Sequence, residues 1–453
     1  MSMKPNVVVI GGGFAGAAAA SALAEAGVSV TLLEKRPVLG GRASSLRDGV
    51  TKEDVDNGPH LFMGCYRETR RFLRRVKVAD RLRFPKRLEV PFLWPGGAST
   101  FCAFNWPFSV GLFAGLLRFN AMSGRDRYSL LKGLFHARFP RRKDLAFLTV
   151  SQWLDSLRQT PGSRRAFWTP LCFATLNASP DVACAAALEV VLRQGFFAGK
   201  KNRALGHSTL SLGKLWPVDL PGYLKSRGGL VASEQTVTGL PVRDGLVSRV
   251  ELEGGNGGEA DTVVCALPLP AFLEICPAEI RPSYAALDGV RFSPILSVHF
   301  WFDRPVFRGL FAGVLDSEIQ WVFNREALWE GRGASAGGLS LVVSDAVEFL
   351  HSSSEDIVSR VLADLRKVIP DVPAPRHASV VWERQATPTP TPAFWNSRPG
   401  TSTPIKNLFL AGDWVDTGLP PTIESACRSG HLAAAAAKKY LEERSLRREP
   451  SPC

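Results

Sequence analysis

The 453-residue chain has few of the features that hold metals, cross-links or membrane spans. Its eight cysteines form no Cys-x-x-Cys pair and have no histidine at ligand spacing, which excludes a zinc site and a disulfide framework. Scattered cysteines of this kind indicate a reducing compartment. The longest apolar runs, Pro107–Leu117 and Ile423–Ala437, are shorter than the ~20 residues of a spanning helix. No signal peptide precedes Asn6. We therefore predict a cytoplasmic protein without a metal, at most peripheral to a membrane.

Acidic residues are also fewer than basic ones. The chain has 42 Asp and Glu residues and 55 Lys and Arg residues, which gives a formal net charge of +13. The basic residues concentrate in Arg70–Arg83 and Arg125–Lys143, and the second cluster follows an apolar, aromatic stretch. This combination favours peripheral contact with an anionic membrane over binding to nucleic acid. A solvated positive face is the alternative interpretation.

A glycine-rich turn near the amino terminus is the first functional signal. Asn6–Ile10 is a β-branched apolar run, which predicts a buried strand. Gly11–Gly16 follows at once, an alanine-rich helix runs to about Ala26, and Val28–Leu33 predicts a second strand. A strand, a glycine turn, a helix and a second strand in this order predict a dinucleotide-binding unit.

Three glycines and one acid of this unit have separate predicted roles. Gly11 permits the tight turn, Gly13 lets a pyrophosphate approach the amino terminus of the helix, and Gly16 lets helix and strand pack closely. Glu34, at the end of the second strand, is placed to accept hydrogen bonds from ribose hydroxyls. An acid here argues against NADP, whose additional phosphate it would repel.

A second candidate half-site lies near the carboxyl terminus. The apolar strand predicted at Asn407–Leu410 leads to Gly412 and Asp413, and Gly418–Thr422 leads into a helix that continues towards Lys438. The Asp413 carboxylate and the first amides of this helix are then expected to point at the same position. That geometry suits a ribityl chain and the edge of a pyrophosphate.

The segment after the first acid extends the dinucleotide motif. Gly40-Gly41-Arg42 lets the backbone lie flat under a ligand and supplies a guanidinium for a phosphate. With this continuation the chain resembles the flavin amine oxidase and carotenoid desaturase superfamily. The resemblance implies non-covalently bound FAD in place of NAD. It assigns cofactor contacts to Gly11, Gly13, Phe14, Ala15, Gly16, Glu34, Lys35, Gly41, Arg42, Gly58, His60, Val237, Gly412, Asp413, Thr422 and Ile423.

A narrower resemblance covers essentially the whole chain. Asp56–Leu61, followed by Gly64–Thr69, resembles a segment of the squalene-associated FAD-dependent desaturases, the hydroxysqualene dehydroxylases. Phe167–Asn177, Gln320–Arg325 and Gly412–Pro420 resemble the same family. The residue at position 59 is a proline where that family usually has glutamine. The resemblance implies a role in squalene and hopanoid biosynthesis, in which the allylic hydroxyl of hydroxysqualene, a long-chain isoprenoid lipid, is removed reductively to give squalene.

The implied reaction requires a general acid near the flavin, because the leaving hydroxyl must be protonated. His60 is the first candidate, since Gly58 lets the backbone pass close to the flavin. Anchoring of its loop is the alternative role for this histidine. Glu424, Asp56 and Arg384 are further candidates, which the sequence does not rank.

Cofactor segments at the start, middle and end of the chain predict a discontinuous domain. The predicted fold class is α/β, an amine-oxidase-like Rossmann-type FAD-binding domain with an inserted α+β substrate domain. The FAD-binding domain is expected from residues 1–82, 214–280 and 381–445, the substrate domain from 83–213 and 281–380, and a flexible tail from 446–453. Residues 83–213 are predicted to be helix-rich and 281–380 to supply an antiparallel sheet. Ala386–Pro404, rich in proline and threonine, is predicted to be a loop.

Three alternative functions stay open. An amine oxidase of the same superfamily would have an aromatic ring two residues before the glutamate of the second motif, where this chain has Thr422. A carotenoid desaturase acting on another polyisoprenoid would run the flavin in the oxidative direction. A non-catalytic prenyl-binding scaffold is disfavoured by four intact cofactor positions, Gly13, Glu34, Arg42 and Asp413.

Overall fold

A computed structural model of the chain describes residues 6–103, 110–139, 144–330 and 337–448. The strands are, in chain order, β1 (Asn6–Ile10), β2 (Ser29–Leu33), β3 (Ser45–Arg47), β4 (Asp54–Asp56), β5 (Leu61–Met63), β6 (Leu82–Arg83), β7 (Leu88–Trp94), β8 (Gly97–Ala103), β9 (Leu205–Ser208), β10 (Leu230–Ala232), β11 (Val237–Gly239), β12 (Val242–Arg243), β13 (Leu246–Val247), β14 (Arg249–Leu252), β15 (Gly258–Glu259), β16 (Thr262–Cys265), β17 (Phe292–Trp301), β18 (Phe311–Val314), β19 (Trp321–Asn324), β20 (Gly338–Ser344), β21 (His377–Pro388) and β22 (Leu408–Leu410).

The α-helices are α1 (Phe14–Glu25), α2 (Arg67–Arg75), α3 (Val110–Arg118), α4 (Gly124–Arg138), α5 (Val150–Ser156), α6 (Pro161–Ser163), α7 (Thr169–Leu176), α8 (Ala185–Val191), α9 (Lys200–Arg203), α10 (Leu212–Leu215), α11 (Leu220–Lys225), α12 (Leu269–Ile275), α13 (Arg325–Leu328), α14 (Ser354–Val368), α15 (Pro392–Ser397) and α16 (Ile423–Arg448). Short 3₁₀ helices occur at Ala79–Arg81, Leu145–Phe147, Arg281–Leu287 and Val347–Phe349, and π-helical segments at Arg164–Trp168 and Leu192–Phe197.

One sheet has the strand order β10-β2-β1-β16-β22, and all its strands are parallel. Parallel strands are covered on both faces, which explains why β1 and β16 are continuous β-branched or apolar runs. Strands β10 and β2 lie on one side of β1, and strands β16 and β22 lie on the other, so the order reverses between β1 and β16. Ligands of doubly wound sheets bind at that point, beyond the carboxyl ends of the strands. The predicted Rossmann-type α/β domain is confirmed.

Two helices from opposite ends of the sequence pack together over this sheet. Helices α1 and α16 approach so closely that a Cβ on Gly430 would lie 2.1 Å from the carbonyl oxygen of Ala15. Alanines at positions 17 to 20 and at 433, 434 and 437 are buried between these elements. Small residues allow the short interhelical distance, and the last helix thereby becomes part of the same core as the first.

The second large sheet has the strand order β21-β17-β20-β19-β18-β7-β8. Strand β17 is antiparallel to both β20 and β21, and β19 is antiparallel to β20, which confirms the antiparallel sheet predicted from residues 281–380. Helix α14 covers one face with Ile357, Val361 and Leu365, whose spacing of four residues puts them on one side of the helix.

Several boundaries differ from the sequence predictions. The boundary expected at residue 381 falls inside β21, which pairs with β17 from His377 to Pro388 and so belongs to the second sheet. The loop expected at Ala386–Pro404 contains helix α15, which Thr391 caps by accepting a hydrogen bond from the Phe394 amide at 3.2 Å. Helix α16 runs to Arg448, so residues 446–448 of the expected flexible tail are helical. Residues 449–453 lie outside the described ranges.

Residues 83–213 are not uniformly helical, because they begin with the hairpin β7–β8. Trp94 pairs with Gly97, which leaves Pro95 and Gly96 as a two-residue turn, and Gly96 has the positive φ of 80° that such a turn favours. Within the described part of the chain, no helix is both long and apolar enough to cross a bilayer.

Candidate active site

The glycine turn after β1 has the geometry that its sequence predicts. Gly11 has a φ of 103°, and a Cβ there would lie 2.8 Å from the carbonyl oxygen of Ala266 at the end of β16. A Cβ on Gly16 would lie 1.9 Å from the carbonyl oxygen of Gly11. Side chains are therefore excluded from both positions, and α1 can begin directly against the ends of β1 and β16.

The amino terminus of α1 is open to an anion. Its N-cap residue, Gly13, makes no side-chain capping bond, so the first amides of the helix keep their capacity to donate. The second glycine pair packs against this turn, since the Gly40 amide donates to the Gly12 carbonyl at 2.9 Å and a Cβ on Gly41 would lie 3.1 Å from the Gly13 Cα. A narrow passage bordered by backbone suits a pyrophosphate. The Phe14 side chain packs inward against Phe72 and Trp216, so this residue offers only its amide.

Glu34 lies at the end of β2 and is 6% exposed. Its carboxylate accepts hydrogen bonds from the Gly12 amide at 2.7 Å and the Arg36 amide at 2.9 Å, which tie the glycine turn to β2. Each carboxylate oxygen has a further lone pair, so it can still accept a hydrogen bond from a ribose hydroxyl. Lys35 is exposed beside it.

Val237 is not in the strand that directly follows Gly228 and Gly229. That strand is β10, which joins the parallel sheet, whereas Val237 begins β11 and pairs with Leu252 of β14. Val237 nevertheless packs in the same apolar cluster as Leu33 at the end of β2, and therefore lies on the side of the sheet where an adenine is expected.

The carboxyl-terminal half of the site joins β22 to α16. Gly412 has a φ of 148° and donates its amide to the Ser429 Oγ at 2.8 Å, which brings the end of β22 against α16. Thr422 caps α16, whose first residue is Ile423, by accepting a hydrogen bond from the Ser425 amide at 3.2 Å. The carboxylate of Asp413 lies between these features and is nearly buried.

The two half-sites meet in an ion pair. The Arg42 Nη2 donates to the Asp413 Oδ1 at 2.5 Å, and its Nη1 donates to the Ala386 carbonyl at 3.1 Å. Burial lowers the pKa of Arg42, but the Asp413 carboxylate outweighs this effect and raises it, so the guanidinium stays charged. The sequence interpretation gave each side chain a separate role towards phosphate or ribityl, whereas the structure pairs them.

Sequence reasoning missed two partners of this pair. The Asn57 side-chain amide donates to the Arg42 carbonyl and, at 3.3 Å, to the Glu383 Oε2, and Asn57 Oδ1 accepts from the Ser44 amide. Asn57 was part of a recognised segment, so its position was signalled although its role was not. Glu383 had no such signal, because only the pairing of β21 with β17 brings it to this place.

His60 follows Gly58 and Pro59 in the loop that leads into β5. Its Nδ1 makes a short contact with the Gly58 carbonyl, which requires a proton on Nδ1. In the neutral ring Nε2 is then an acceptor, so His60 can release a proton there only as the imidazolium. Burial lowers the pKa of His60, which reduces the population of that form at neutral pH. A Cβ on Gly58 would lie 3.6 Å from Ile295 of β17, so the loop runs close to this sheet.

The carboxylate of Glu424 has three hydrogen-bond donors. It accepts from the Glu68 amide at 2.9 Å, the Thr69 amide at 2.9 Å and the Thr69 Oγ1 at 2.8 Å, at the amino terminus of α2. Burial raises the pKa of Glu424, although these bonds act in the opposite direction. The geometry shows that Glu424 holds α2 against α16.

The other two candidate acids lie in very different surroundings. Asp56 is buried beneath the site, where it accepts from the Ser45 Oγ at 2.6 Å and the Leu212 amide at 2.9 Å. Arg384 is exposed, with its guanidinium carbon 5.4 Å from the centre of the Trp382 ring. An exposed side chain does not suit a reaction that must exclude water.

A cavity lies beside the second half-site and reaches into the inserted helices. Thr422 and Glu424 line it from one side, Cys65 and Tyr66 from another, and Val190 and Val191 of α8 from a third. The π-helical segment Leu192–Phe197 contributes Gln194 and Gly195. Such segments occur frequently at functional sites. The walls of the cavity are mainly apolar, with isolated polar groups, as in sites that bind small molecules.

Fold and site together define a flavin-dependent oxidoreductase. The family described as "Flavin containing amine oxidoreductase" matches residues 14–438, and the chain belongs to this family. Solved structures agree with the fold. An oxidoreductase from Methanosarcina mazei has a TM-score of 0.75 at 16% identity and covers 95% of this chain and 100% of its own. Putrescine oxidase bound to putrescine has a TM-score of 0.73 at 16% identity, with coverages of 96% and 99%.

Curated relatives include proteins with two different names. Hydroxysqualene dehydroxylase of Sinorhizobium fredii is 28% identical over 452 residues, with 95% of this chain and 98% of the relative covered. The protein of the same name in Zymomonas mobilis is 28% identical, with coverages of 95% and 99%. 15-cis-Phytoene desaturase of Synechococcus elongatus is 25% identical, with coverages of 99% and 98%.

Proposed function

We propose that the chain binds FAD non-covalently and removes the allylic hydroxyl of hydroxysqualene reductively to give squalene. The observation that carries the cofactor assignment is the convergence of Gly11–Gly16 and Gly412–Thr422 at the point where the strand order reverses. The substrate assignment is supported by the hydroxysqualene dehydroxylases, which match over nearly their whole length.

The residues present fit an extended dinucleotide. The open terminus of α1 would take the pyrophosphate, Glu34 the ribose of the adenosine half, and the segment at Val237 the adenine. Arg42 and Asp413 would hold the ribityl and phosphate region, and the start of α16 would lie by the flavin ring. The contacts that these residues offer to the cofactor are hydrogen bonds and charged groups, which supports non-covalent binding.

Reduced flavin, when bound, supplies a hydride. The reaction breaks the allylic C–O bond, forms a C–H bond with that hydride and releases the hydroxyl as water, so one proton must reach the leaving oxygen. Val190 and Val191 in the cavity wall would keep water away from the allylic carbon as it develops cationic character. His60 is the proposed proton donor. The physiological reductant is a separate component of the reaction.

The presence of Thr422 where an amine oxidase would have a ring favours an isoprenoid over an amine as substrate. Such a substrate resides in membranes, and the charge of +13 supports work at the cytoplasmic face of an anionic membrane. Phytoene-type desaturation is the second candidate, because 15-cis-phytoene desaturases also match the full chain.

Product analysis separates these candidates. The flavin-loaded protein is incubated anaerobically with hydroxysqualene and a chemical reductant, and in parallel with phytoene and a quinone oxidant. We expect squalene in the first reaction, identified by mass spectrometry, and unchanged phytoene in the second. Unchanged hydroxysqualene together with desaturated phytoene would reverse the assignment. A purified protein without flavin absorbance would contradict the cofactor proposal.

A further inference from the structure

Helix α4 presents large side chains on the face that it turns to solvent. Its opposite face is buried through Leu130, Leu134 and Ala137. On the outer face Tyr128 is 73% exposed and Phe135 is 60% exposed. Phe139, which follows the helix, is 55% exposed. Residues 128, 132, 135 and 139 are spaced by four, three and four positions, so their side chains form one stripe along the helix.

Basic side chains alternate with these rings. Lys132 is exposed between Tyr128 and Phe135, Arg125 is exposed one turn earlier, and the guanidinium carbon of Arg138 lies 5.0 Å from the centre of the Phe139 ring. Asp126 is the one acid of α4, a helix that the structure describes throughout. Its carboxylate accepts from Ser123 at the helix N-cap and from the Thr160 Oγ1 at 2.7 Å. The stripe is therefore aromatic and positively charged.

We propose that this stripe, Arg125, Tyr128, Lys132, Phe135 and Phe139, is the surface on which the protein docks to a bilayer of anionic lipids. Aromatic rings insert at the level of the headgroups, and interleaved lysine and arginine side chains attract their phosphates. A flat bilayer accommodates a continuous stripe along one helix, and the charge of the stripe complements anionic lipid. Leu117 of α3, which packs against α4, adds a further apolar side chain that is 60% exposed.

The position of α4 connects this surface to the cavity. Helix α4 packs on the π-helical segment Leu192–Phe197, whose Gln194 and Gly195 line the cavity. The stripe and the cavity therefore belong to the same group of inserted helices, so we infer that docking places the substrate site near the bilayer. This step rests on the proposed isoprenoid substrate, whereas the docking itself does not.

Vesicle binding of the flavin-loaded full chain, measured by cosedimentation without substrate, tests the docking. We expect binding to vesicles of phosphatidylcholine mixed with phosphatidylglycerol, at least about tenfold weaker binding to phosphatidylcholine alone, and weakening by salt. The double variant Phe135→Ala, Phe139→Ala and the single variant Lys132→Glu should each bind at least about fivefold more weakly. The control Val218→Ala, Leu230→Ala changes two exposed apolar residues away from α4 and should bind like the parent.

Equal binding of the parent to both kinds of vesicle, or undiminished binding of the Phe135 and Phe139 variant, would overturn the proposal. Gel filtration of the same variants examines the rival occupant, since a stripe that covers a second copy would lose a dimer on substitution and show no lipid preference. Turnover of detergent-dispersed hydroxysqualene is measured separately. A protein that docks but does not convert this substrate would contradict the proposed function alone.

Discussion

Arg42 and Asp413 are 371 positions apart in the sequence, and their side chains are joined by a hydrogen-bonded ion pair of 2.5 Å. Arg42 belongs to the loop that packs on the glycine turn, and Asp413 to the end of the last strand of the parallel sheet. The pair therefore couples the two halves of the cofactor site directly. Loss of this pair should weaken the binding of a ligand that spans both halves.

Replacing Asp413 with asparagine is expected to weaken flavin retention. The amide keeps the shape but leaves the largely buried guanidinium of Arg42 without a counter-charge, and removal of one partner from such a pair costs about 3 kcal/mol. We expect the dissociation constant of FAD, measured by flavin fluorescence, to rise about tenfold or more. Asp288→Asn, at a surface ion pair with Arg281, is the matched control and should retain the cofactor.

Gly430 should not tolerate alanine, because the new Cβ would lie 2.1 Å from the Ala15 carbonyl oxygen. Separation of α1 from α16 should lower the free energy of unfolding by roughly 1–3 kcal/mol, as for other overpacked cores. Gly222→Ala in α11 meets no atom within 4 Å and should be neutral or slightly stabilising. Urea unfolding measures both variants, and equal stabilities would contradict the close approach.

Glu424→Gln distinguishes a structural role from a catalytic one. The glutamine amide would face a donor where the carboxylate accepts three bonds from Glu68 and Thr69, so we expect a loss of about 1–3 kcal/mol of stability. Glu442→Gln, at a surface pair of the same helix, should cost less than ~1 kcal/mol. Unchanged stability with abolished turnover would instead identify Glu424 as the acid.

Asp56 should make the protein less stable as the pH rises. Burial raises its pKa from 3.8 to about 7, against hydrogen bonds from Ser45 and Leu212. The folded chain keeps a proton that the unfolded chain releases above about pH 4, so this contribution is complete below that pH and is lost on the way to about pH 7. The change amounts to roughly 4 kcal/mol. Asp56→Asn should remove this decline in a series of denaturant midpoints.

Asp48 provides a control of opposite sign for that series. Burial raises its pKa, but hydrogen bonds from Thr51, His377 and Val50 outweigh burial and hold the pKa well below the ordinary value. Its contribution is present above about pH 4 and is lost as the pH falls. Asp48→Asn should therefore reduce stability at neutral pH and flatten the acid side of the profile, the reverse of Asp56→Asn.

If His60 is the proton donor, the proposed dehydroxylation should be faster at acid pH. Burial lowers its pKa below the ordinary 6.5, and only the imidazolium can donate from Nε2 while Nδ1 contacts Gly58. The rate should fall as the pH rises through that lowered pKa, and His60→Gln should give a slow, flat profile across roughly pH 5–8. A wild-type rate independent of pH over this range would assign His60 to anchoring of its loop.

The glycine positions were predictable because they are determined locally. Gly11 must adopt a positive φ and Gly16 must lie against a carbonyl oxygen, and each requirement leaves a single suitable residue type in the sequence. The acid that ends β2 and the Gly412–Asp413 bend are similarly local. These features were sufficient to predict the parallel sheet and the meeting of the two glycine-containing segments beyond it.

The composition of the site around Arg42 was not predictable in this way. Glu383 reaches Asn57 because β21 pairs with β17 through an irregularity near Ser293 and Ile295, and a shift of one residue turns a side chain to the opposite face. The neighbouring Arg384 was named as a candidate general acid and is exposed. Strand register across the two inserted segments depends on tertiary packing, which no short segment of the sequence encodes.

The late position of β22 and α16 affects how the protein is made. At a translation rate of about 5–20 residues per second, the first glycine turn leaves the ribosome ~20–80 s before the strand and helix that complete its sheet. During that interval the alanine-rich side of α1 has no partner helix, and half of the cofactor cradle does not yet exist. A ligand that spans both segments can therefore be bound only after β22 and α16 have been synthesised.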